Sequence, residues 1–469
     1  LWTRAASVAL VSPGGQIFRQ PCPAFGDNVG PDVDFERLRS RLSETSTLRP
    51  LGRVTGVTGL LVRVAVPGVR VGEVLTIRRR GAALLAEVVG LAESEALAVP
   101  LGDVTGIALD DEVEAAGAAL EVGVGEGLLG HVLDGLGRPL DVAGPIPGLR
   151  LQPVDRAPPS ALGRAPVTQV LATGVRAIDG LLSLGVGQRI GLFAGSGVGK
   201  STLLASIARG TNADVVVVAL VGERGREVGE FLEHALGQAG RARSVVVVAT
   251  SDAPPVERLR AAQVATAIAE GFRDEGRSVL LLVDSVTRVA RAQREIGLAA
   301  GEPPARRGYP PSVFAMLPRL LERSGQGERG SITAIYTVLV EGGDMDEPIA
   351  DEVRGVLDGH LVLSRELAQR VHFPAIDVPA SISRVMDQVV PPQHAAAARK
   401  LRGLLGAYEQ KRDLVAVGAY TKGTDPRVDA ALVLLPELTR FLTQAPGEVS
   451  SFDETTERVS RLAARAGNS

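Results

Sequence analysis

The chain has little cysteine and few aromatic residues. Its 469 residues include one cysteine, Cys22, one tryptophan and only 3% aromatic residues in total. A single cysteine excludes an internal disulfide and fits a reducing compartment, so we expect a cytoplasmic protein. No apolar run approaches the roughly 20 residues that a membrane helix needs, so we also expect no membrane span.

The chain also lacks an excess of positive charge. Its 51 Lys and Arg residues face 54 Asp and Glu residues, for a net charge of −3. Such a balance provides no electrostatic footprint for nucleic acid or for an anionic membrane surface, so we expect no nucleic-acid partner. Only four of the basic residues are lysines, at positions 200, 400, 411 and 422. A lysine in a defined motif is therefore informative.

Lys200 follows a glycine-rich turn between a short apolar strand and a helix. The stretch from Arg189 to Leu204 reads RIGLFAGSGVGKSTLL, with Ala194 where the strict phosphate-loop pattern has glycine. Glycines let backbone N–H groups turn inward around an anion, and the helix N-terminus faces the same charge. Lys200 would reach the β- and γ-phosphates of a nucleotide, and Ser201 would bind Mg²⁺. The predicted nucleotide-binding residues of this loop are Gly195, Ser196, Gly197, Val198, Gly199, Lys200, Ser201 and Thr202.

Two carboxylates follow other apolar strands. Asp284 ends the run from Ser278 and is expected to hold the Mg²⁺ shell, although an Asp at this place could also form a turn or a helix cap. Glu223 follows the run Val215–Val221 and could accept a hydrogen bond from the attacking water. Without the phosphate loop, a lone Glu after a strand would be a weak signal.

The hydrophobic pattern predicts three structural regions after an irregular N-terminal segment. Short valine-rich runs between glycines indicate a small closed β-barrel. Continuous Val/Ile/Leu runs alternating with helical patterns then indicate an α/β core with a parallel sheet. A helical pattern follows, with Leu401, Leu404, Leu405 and Tyr408 on one face. The predicted barrel strands are 52–66, 72–77, 85–89, 96–99 and 106–109, and the predicted core strands are 190–193, 215–221, 245–249, 279–283 and 332–339.

These patterns divide the chain at three points. Residues 1–46 are expected to be a flexible tail with a short amphipathic helix at 34–42. Its apolar residues Phe35, Leu38 and Leu42 could dock a partner, and on periodicity alone the segment fits a frayed surface helix equally well. The β-barrel covers 47–122, the nucleotide-binding core covers 123–392, and the C-terminal helical domain covers 393–469.

A longer set of motifs makes the chain similar to one family. The stretches are Gly222–Val228 (GERGREV), Gly127–Pro139, Ala292–Pro304, Gly308–Phe314 and Asp346–Arg354. They resemble the ATPases of type III secretion systems, within the superfamily of rotary ATP synthase catalytic subunits. The similarity covers residues from about 50 to 455. It implies a RecA-like P-loop ATPase core between the barrel and the helical domain.

The resemblance also implies roles for individual residues. Lys200 and Ser201 would bind phosphate and Mg²⁺, and Glu223 would position water. Asp284 would be the carboxylate of the second phosphate-site motif, which holds the Mg²⁺ shell. Arg224 and Arg288 would flank the γ-phosphate, and Arg384 has the position of an arginine finger. Phe373 stands where the family usually has a tyrosine stacked on adenine, although it could also be a plain core residue.

Further expectations concern the assembly. An arginine finger from the same type of chain implies a head-to-tail homohexamer that hydrolyses ATP to energise protein export. The family's C-terminal domain faces chaperone and cargo complexes, residues 34–46 would dock a stator-like regulator, and the ring would sit at the export gate, peripheral to the inner membrane. The flagellar export ATPase is nearly indistinguishable in the core. A rotary synthase subunit would need a second type of chain, and a ring helicase would need an RNA-binding surface.

Overall fold

The computed structural model describes residues 7–11, 17–21, 50–92, 94–340 and 344–466. It divides into two compact units, residues 1–49 and residues 50–469. In the first unit, β1 (Ser7–Val11) and β2 (Ile17–Pro21) pair antiparallel, where the sequence predicted no strand. The helix predicted at 34–42 and Cys22 lie outside the described residues.

The second unit begins with a closed six-stranded barrel in the order β3-β4-β7-β6-β5-β8. Its interior is filled by side chains that alternate along each strand, including Val62, Val64, Leu75 and Ile77, which are fully buried. The predicted barrel is therefore confirmed. Its strands are β3 (Leu51–Thr58), β4 (Leu61–Ala65), β5 (Glu73–Arg78), β6 (Leu84–Ala92), β7 (Glu95–Pro100) and β8 (Glu112–Ala119).

Two predicted barrel strands differ from the structure. Residues 52–66 form two strands, because the chain turns at Gly59, which has a positive φ of 58°. The strand predicted at 106–109 was wrong. These residues lie in a turn, where Asp111 accepts a hydrogen bond from the backbone N–H of Ala108 at 2.7 Å. The sixth strand is β8, whose second half consists of alanine and glycine and therefore carries little β-propensity.

The central sheet has the strand order β10-β16-β15-β17-β19-β14-β20-β21, with β18 paired to β19. All neighbours are parallel except β18–β19 and β20–β21. The five predicted core strands are confirmed, and they are buried on both faces, as continuous apolar runs require. The strands are β10 (Val132–Asp134), β14 (Arg189–Ala194), β15 (Val215–Val221), β16 (Ser244–Ala249), β17 (Ser278–Asp284), β18 (Gly325–Gln326), β19 (Ser331–Leu339), β20 (Gly359–Leu363) and β21 (Ile382–Ser383).

Two short antiparallel pairs in the described residues form separate two-stranded sheets: β9 (Glu121–Val124) with β11 (Arg150–Pro153), and β12 (Val170–Leu171) with β13 (Leu184–Gly185).

Helices cover both faces of the sheet. Among the helices that the structure describes, five begin with proline at the first helical position, where its missing N–H costs nothing. Among the described residues, no helix is long and apolar enough to cross a membrane. The helices are α1 (Arg176–Leu181), α2 (Lys200–Gly210), α3 (Gly225–Glu230), α4 (Gly237–Ala242), α5 (Pro255–Asp274), α6 (Val286–Ala299), α7 (Pro311–Leu321), α8 (Pro348–Val356), α9 (Arg365–Gln369), α10 (Met386–Val389), α11 (Pro392–Ala416), α12 (Pro426–Leu442) and α13 (Phe452–Arg465), with a π-helical turn at Phe231–Leu236.

The last three helices form the predicted C-terminal helical region. Leu401 and Leu404 are buried, and Leu405 and Tyr408 pack against the same core, so the predicted apolar face of α11 is confirmed. This core is continuous with one side of the central sheet, because the same cluster includes residues of α1, β14 and β15. The C-terminal helices are thus packed directly on the nucleotide-binding core.

Candidate active site

The phosphate loop joins β14 to α2 at the carboxyl edge of the sheet. Gly197 and Gly199 have φ angles of 77° and 87°, a left-handed conformation that favours glycine. Gly199 is the N-cap of α2 and contributes no side-chain hydrogen bond to the first turn. The first amides of α2 are therefore oriented toward whatever lies in the loop, together with the positive end of the helix dipole. This geometry suits an anion such as a phosphate.

Lys200 lies between the two predicted carboxylates. Its Nζ is 3.0 Å from Oε1 of Glu223 and also contacts Oδ1 of Asp284. Both carboxylates come from the carboxyl ends of neighbouring strands, β15 and β17, which is where ligands of such sheets bind. The structure therefore brings together the three residues that the sequence predicted from separate motifs.

These three side chains are largely withdrawn from solvent. Burial alone would lower the pKa of Lys200, but the carboxylates of Asp284 and Glu223 outweigh it and raise the pKa above its ordinary value. Burial raises the pKa of Asp284, and the ammonium of Lys200 only partly opposes this effect. Lys200 is thus a fixed cation, and its two contacts are ones that the oxygens of a phosphate could replace.

Two threonines, which the sequence analysis missed, support this edge of the sheet. Thr337 on β19 donates a hydrogen bond to Asp284 Oδ1 at 2.7 Å. Thr287 at the start of α6 accepts one from the backbone N–H of Leu339 at 2.9 Å. Buried threonine in a β-strand is ordinary, so no local pattern marks Thr337, and only the parallel pairing of β17 with β19 brings it to Asp284.

Arg288 packs against the glycine that precedes Glu223. A Cβ atom at Gly222 would lie only 3.1 Å from Cγ of Arg288. The Nε of Arg288 is buried and has no hydrogen-bond partner among the described residues. Arg224 is exposed and forms the N-cap of α3 directly after Glu223. Arg288 therefore presents an unsatisfied cationic donor next to the site, as an arginine that binds an anion would.

Phe373 lies on the other side of the phosphate loop. Its ring carbons are 3.5 Å from the position that a Cβ of Gly199 would take, and the residue is 36% exposed. It lines a cavity of about 320 Å³ together with Thr202, Ser206, Gln444 and Pro446. Phe373 is therefore not a core residue. The contribution of Gln444 and its neighbours was missed, because no spacing in the sequence links them to a loop some 240 positions earlier.

Arg384 is not near the phosphate loop of its own chain. Its backbone N–H donates to the carbonyl of Asp358 at 3.1 Å, and the N–H of Asp358 donates to the carbonyl of Arg189 at 2.8 Å. Arg384 is therefore level with the amino end of β14, whereas the phosphate loop follows the carboxyl end at Ala194. Five residue steps of a parallel strand separate these ends by about 17 Å. The side chain of Arg384 is exposed at this far end.

The oxygen donors at this site suit a magnesium ion. Among the described residues, no group of three or more His, Cys, Asp and Glu side chains could hold a metal. Mg²⁺ does not need such a cage, because it commonly binds through one or two protein oxygens, phosphate oxygens and water. The hydroxyl of Ser201 in the first turn of α2 and the carboxylate of Asp284 have the oxygen chemistry that it prefers.

Comparison with known families agrees with this geometry. The nucleotide-binding domain of the ATP synthase alpha/beta family matches residues 174–383, and the beta-barrel domain of the same family matches residues 54–117. Residues 390–461 match a third model, the C-terminal domain of type III secretion ATPases. The chain belongs to the type III secretion ATPase family. It is therefore a nucleotide-binding ATPase with the domain order of that family.

Individual members of the family are similar over almost their whole length. The Type 3 secretion system ATPase of Xanthomonas euvesicatoria is 52% identical over 427 residues, which are 91% of this chain and 97% of the relative. The Flagellum-specific ATP synthase of Bacillus subtilis is 51% identical over 421 residues, 89% of this chain and 96% of the relative.

Solved structures agree with the curated relatives. The assembled ATPase EscN from the type III secretion system of enteropathogenic E. coli superposes with a TM-score of 0.83 at 46% identity, covering 88% of this chain and 100% of the other. The same ATPase in complex with its central stalk EscO gives a TM-score of 0.82, again at 46% identity, and covers the same shares of both chains.

Proposed function

We propose that this ATPase powers protein export by a type III secretion system, releasing chaperones and unfolding cargo. The observation that carries the proposal is the match of residues 390–461 to the C-terminal domain of type III secretion ATPases. A rotary synthase subunit would share the barrel and the core with this chain, so the C-terminal helices are what distinguish the two. The flagellar export ATPase is the second candidate, because flagellar relatives are as similar as secretion relatives.

The chain's own residues suggest how hydrolysis proceeds. Lys200 would leave the carboxylates of Glu223 and Asp284 and bind the β- and γ-phosphates. Glu223, released from Lys200, would accept a hydrogen bond from the attacking water and hold it in line with the γ-phosphorus. Arg288 and Arg224 would bind the γ-phosphoryl oxygens. When bound, Mg²⁺ would neutralise part of the phosphate charge, with Ser201 and Asp284 as the residues that hold it.

Arg384 would complete the site of a neighbouring subunit. Its exposed position at the amino end of β14, the end of the strand away from its own phosphate loop, supports this role, because a head-to-tail neighbour could receive it. Arginine suits the task, since its planar fork keeps its charge and can bridge developing charge on the γ-phosphoryl. A ring of identical subunits, each with Lys200, Glu223, Asp284 and Arg384, needs no second type of chain. We propose a homohexamer.

We further propose partners for the two ends of the chain. Residues 34–46 would bind a stator-like regulator, and residues 393–469 would bind complexes of secretion chaperones with their cargo. The ring would then lie in the cytoplasm, peripheral to the inner membrane at the export gate. The structures of EscN, assembled and with a central stalk, support an assembly of this kind.

Two measurements test the proposal. Glu223→Gln should bind ATP and lose turnover by at least about 10²-fold, whereas Lys200→Ala should weaken both binding and turnover. The mass of the active species should correspond to six identical chains. An active ring that requires a second, homologous subunit would favour the synthase instead. Neighbouring genes for a needle or for a flagellar hook would separate the two export systems.

A further inference from the structure

The cavity beside Phe373 has two walls that are far apart in sequence. Gly197, Gly199 and Thr202 of the phosphate loop and α2 form one wall, with Phe373 beside them. Residues of the segment that follows α12 form the second wall, namely Gln444, Ala445, Pro446 and Glu448. These residues lie outside any helix or strand, so their position depends on other residues that hold them in place.

Gln444 fixes this loop through all of its polar side-chain atoms. Its amide nitrogen donates to the carbonyls of Gly174 and Glu448, both at 2.7 Å, and its amide oxygen accepts from the backbone N–H of Arg176 at 2.9 Å. The backbone N–H of Gln444 donates to the carbonyl of Phe373 at 2.8 Å. Since the residue is 7% exposed, its fully satisfied, buried side-chain amide joins the loop to Gly174 and Arg176, and its backbone N–H joins the loop to Phe373.

Arg176 holds the same loop from the side of α1. Its guanidinium donates to the carbonyls of Phe441 and Thr443 at 2.9 Å and 2.5 Å, and to the hydroxyl of Ser450 at 3.1 Å. It also pairs with the carboxylate of Glu448. Arg176 is only 4% exposed. A buried cation is retained at low cost only when its donors are matched, and here the acceptors belong to the last turn of α12 and to the loop that follows it.

We propose that Arg176 and Gln444 are positioning residues for the nucleotide base. They hold residues 443–450 and Phe373 in the arrangement that accepts the base. This inference rests on the proposed ATPase function, since it assigns the Phe373 cavity to the base of ATP.

The effect on affinity follows from the population of the competent loop. If the loop is in its binding-competent position for only a fraction of the time, the apparent Kd of a ligand that needs the loop equals the intrinsic Kd divided by that fraction. A ligand without a base needs only the phosphate loop and is unaffected. Turnover at saturating ATP is also unaffected, because the residues around the γ-phosphate remain in place. Loss of Arg176 or Gln444 should therefore separate binding of the base from binding of the phosphates.

The test uses the full chain with ATP and with tripolyphosphate, which carries the phosphates but no base, both in the presence of Mg²⁺. In Gln444→Ala we expect the Kd for ATP to rise about tenfold, while the Kd for tripolyphosphate and the kcat stay within about twofold of the parent values. Glu448→Ala should behave in the same way, and Glu448→Gln should keep the parent affinity because its amide oxygen still accepts from Arg176. Gln410→Ala, on the exposed face of α11, is the matched control.

The outcomes distinguish a role of Gln444 and Arg176 in base binding from other roles. An unchanged Kd for ATP in Gln444→Ala overturns the inference. An equal loss of ATP and tripolyphosphate binding also overturns it, since the change would then act on the phosphate loop. Arg176→Lys provides a second variant, which retains the buried positive charge but loses the planar guanidinium and its several hydrogen bonds. It should also lose affinity for ATP while retaining affinity for tripolyphosphate. A parent protein that binds neither ligand would instead contradict the proposed function.

Discussion

Thr337 donates a hydrogen bond to the buried carboxylate of Asp284 across the neighbouring strands β19 and β17, with 2.7 Å between the two oxygens. Burial raises the pKa of Asp284, and this hydrogen bond opposes that rise. Thr337 thus favours the charged carboxylate that a divalent metal requires. It also fixes the orientation of a group that we propose as part of the Mg²⁺ site.

We predict that Thr337→Val lowers the affinity for Mg²⁺. Valine has nearly the same shape and lacks the donor, so Asp284 loses both charge stabilisation and orientation. Loss of such a supporting hydrogen bond typically costs 10- to 100-fold in metal affinity, so the Mg²⁺ concentration for half-maximal ATPase activity should rise about tenfold.

The matched control for this change is Thr333→Val. Thr333 is equally buried on β19, but its hydroxyl accepts from the backbone N–H of Gly187, away from the site. Its replacement should affect stability and leave the Mg²⁺ dependence unchanged. Equal shifts of the Mg²⁺ dependence in the two variants would contradict a role of Thr337 at the metal site.

We predict that Arg384 acts on the nucleotide of a neighbouring subunit. Arg384→Ala and Lys200→Ala should each be inactive alone, and mixing them should restore part of the activity, because some interfaces then combine an intact loop with an intact finger. The specific activity of the parent should also rise with protein concentration. Exposed Arg427 is a control, and its replacement by alanine should leave the activity unchanged. A self-contained site would give no rescue and a rate independent of concentration.

The fold was largely predictable, because its signals are local. Unbroken apolar runs such as Val215–Val221 and Ser278–Val283 predict buried parallel strands, and the glycines before Lys200 predict the turn that follows β14. The strand Glu112–Ala119 could not be recognised, since its alanines and glycine are placed in the barrel by their neighbours and not by their own preference.

The site was predictable where a motif carries the chemistry in a short stretch. Lys200, Glu223 and Asp284 follow recognisable strands, so their meeting at one edge of the sheet followed from the parallel order. Thr337, Arg176 and Gln444 act through contacts between distant segments. Their residue types are ordinary at their positions, and only the packing of the C-terminal helices on the core brings Gln444 to Phe373.

We predict that Val371→Gly stabilises the protein. Val371 has a φ of 58°, which is costly for a β-branched residue, and it is 76% exposed, so its side chain contributes little packing. Relief of strain of this kind should exceed the chain entropy that glycine costs and give a net gain of about 1 kcal/mol. Val417, equally exposed at 75% and with a φ of −86°, provides the control. Thermal unfolding should show a gain for Val371→Gly and none for Val417→Gly.

His394 joins the C-terminal helices to the core and should make their docking sensitive to acid. The residue is 1% exposed, and its Nε2 is 2.8 Å from the carbonyl oxygen of Gly180. Because a carbonyl only accepts, Nε2 carries the proton. The Nδ1 atom is buried and has no hydrogen-bond partner among the described residues. Burial lowers the pKa of His394 below its ordinary value, so the folded protein favours the neutral ring.

Because the pKa of His394 is lower in the folded state, its contribution to the free energy of unfolding is fully present above the pKa of the unfolded chain, about 6.5. This contribution is lost as the pH falls from there through the pKa of the folded state. We therefore predict that the thermal midpoint of the parent falls between pH 7.5 and pH 5.5, and that it falls less in His394→Gln, whose amide can donate to Gly180 and does not titrate. Other groups, including Asp179 with a pKa raised by burial to about 6, are common to both proteins and cancel in the comparison. His234→Gln, at an exposed position, should retain the pH dependence of the parent. If His394→Gln also retained it, protonation of His394 would not be what weakens the contact between α11 and α1 in acid.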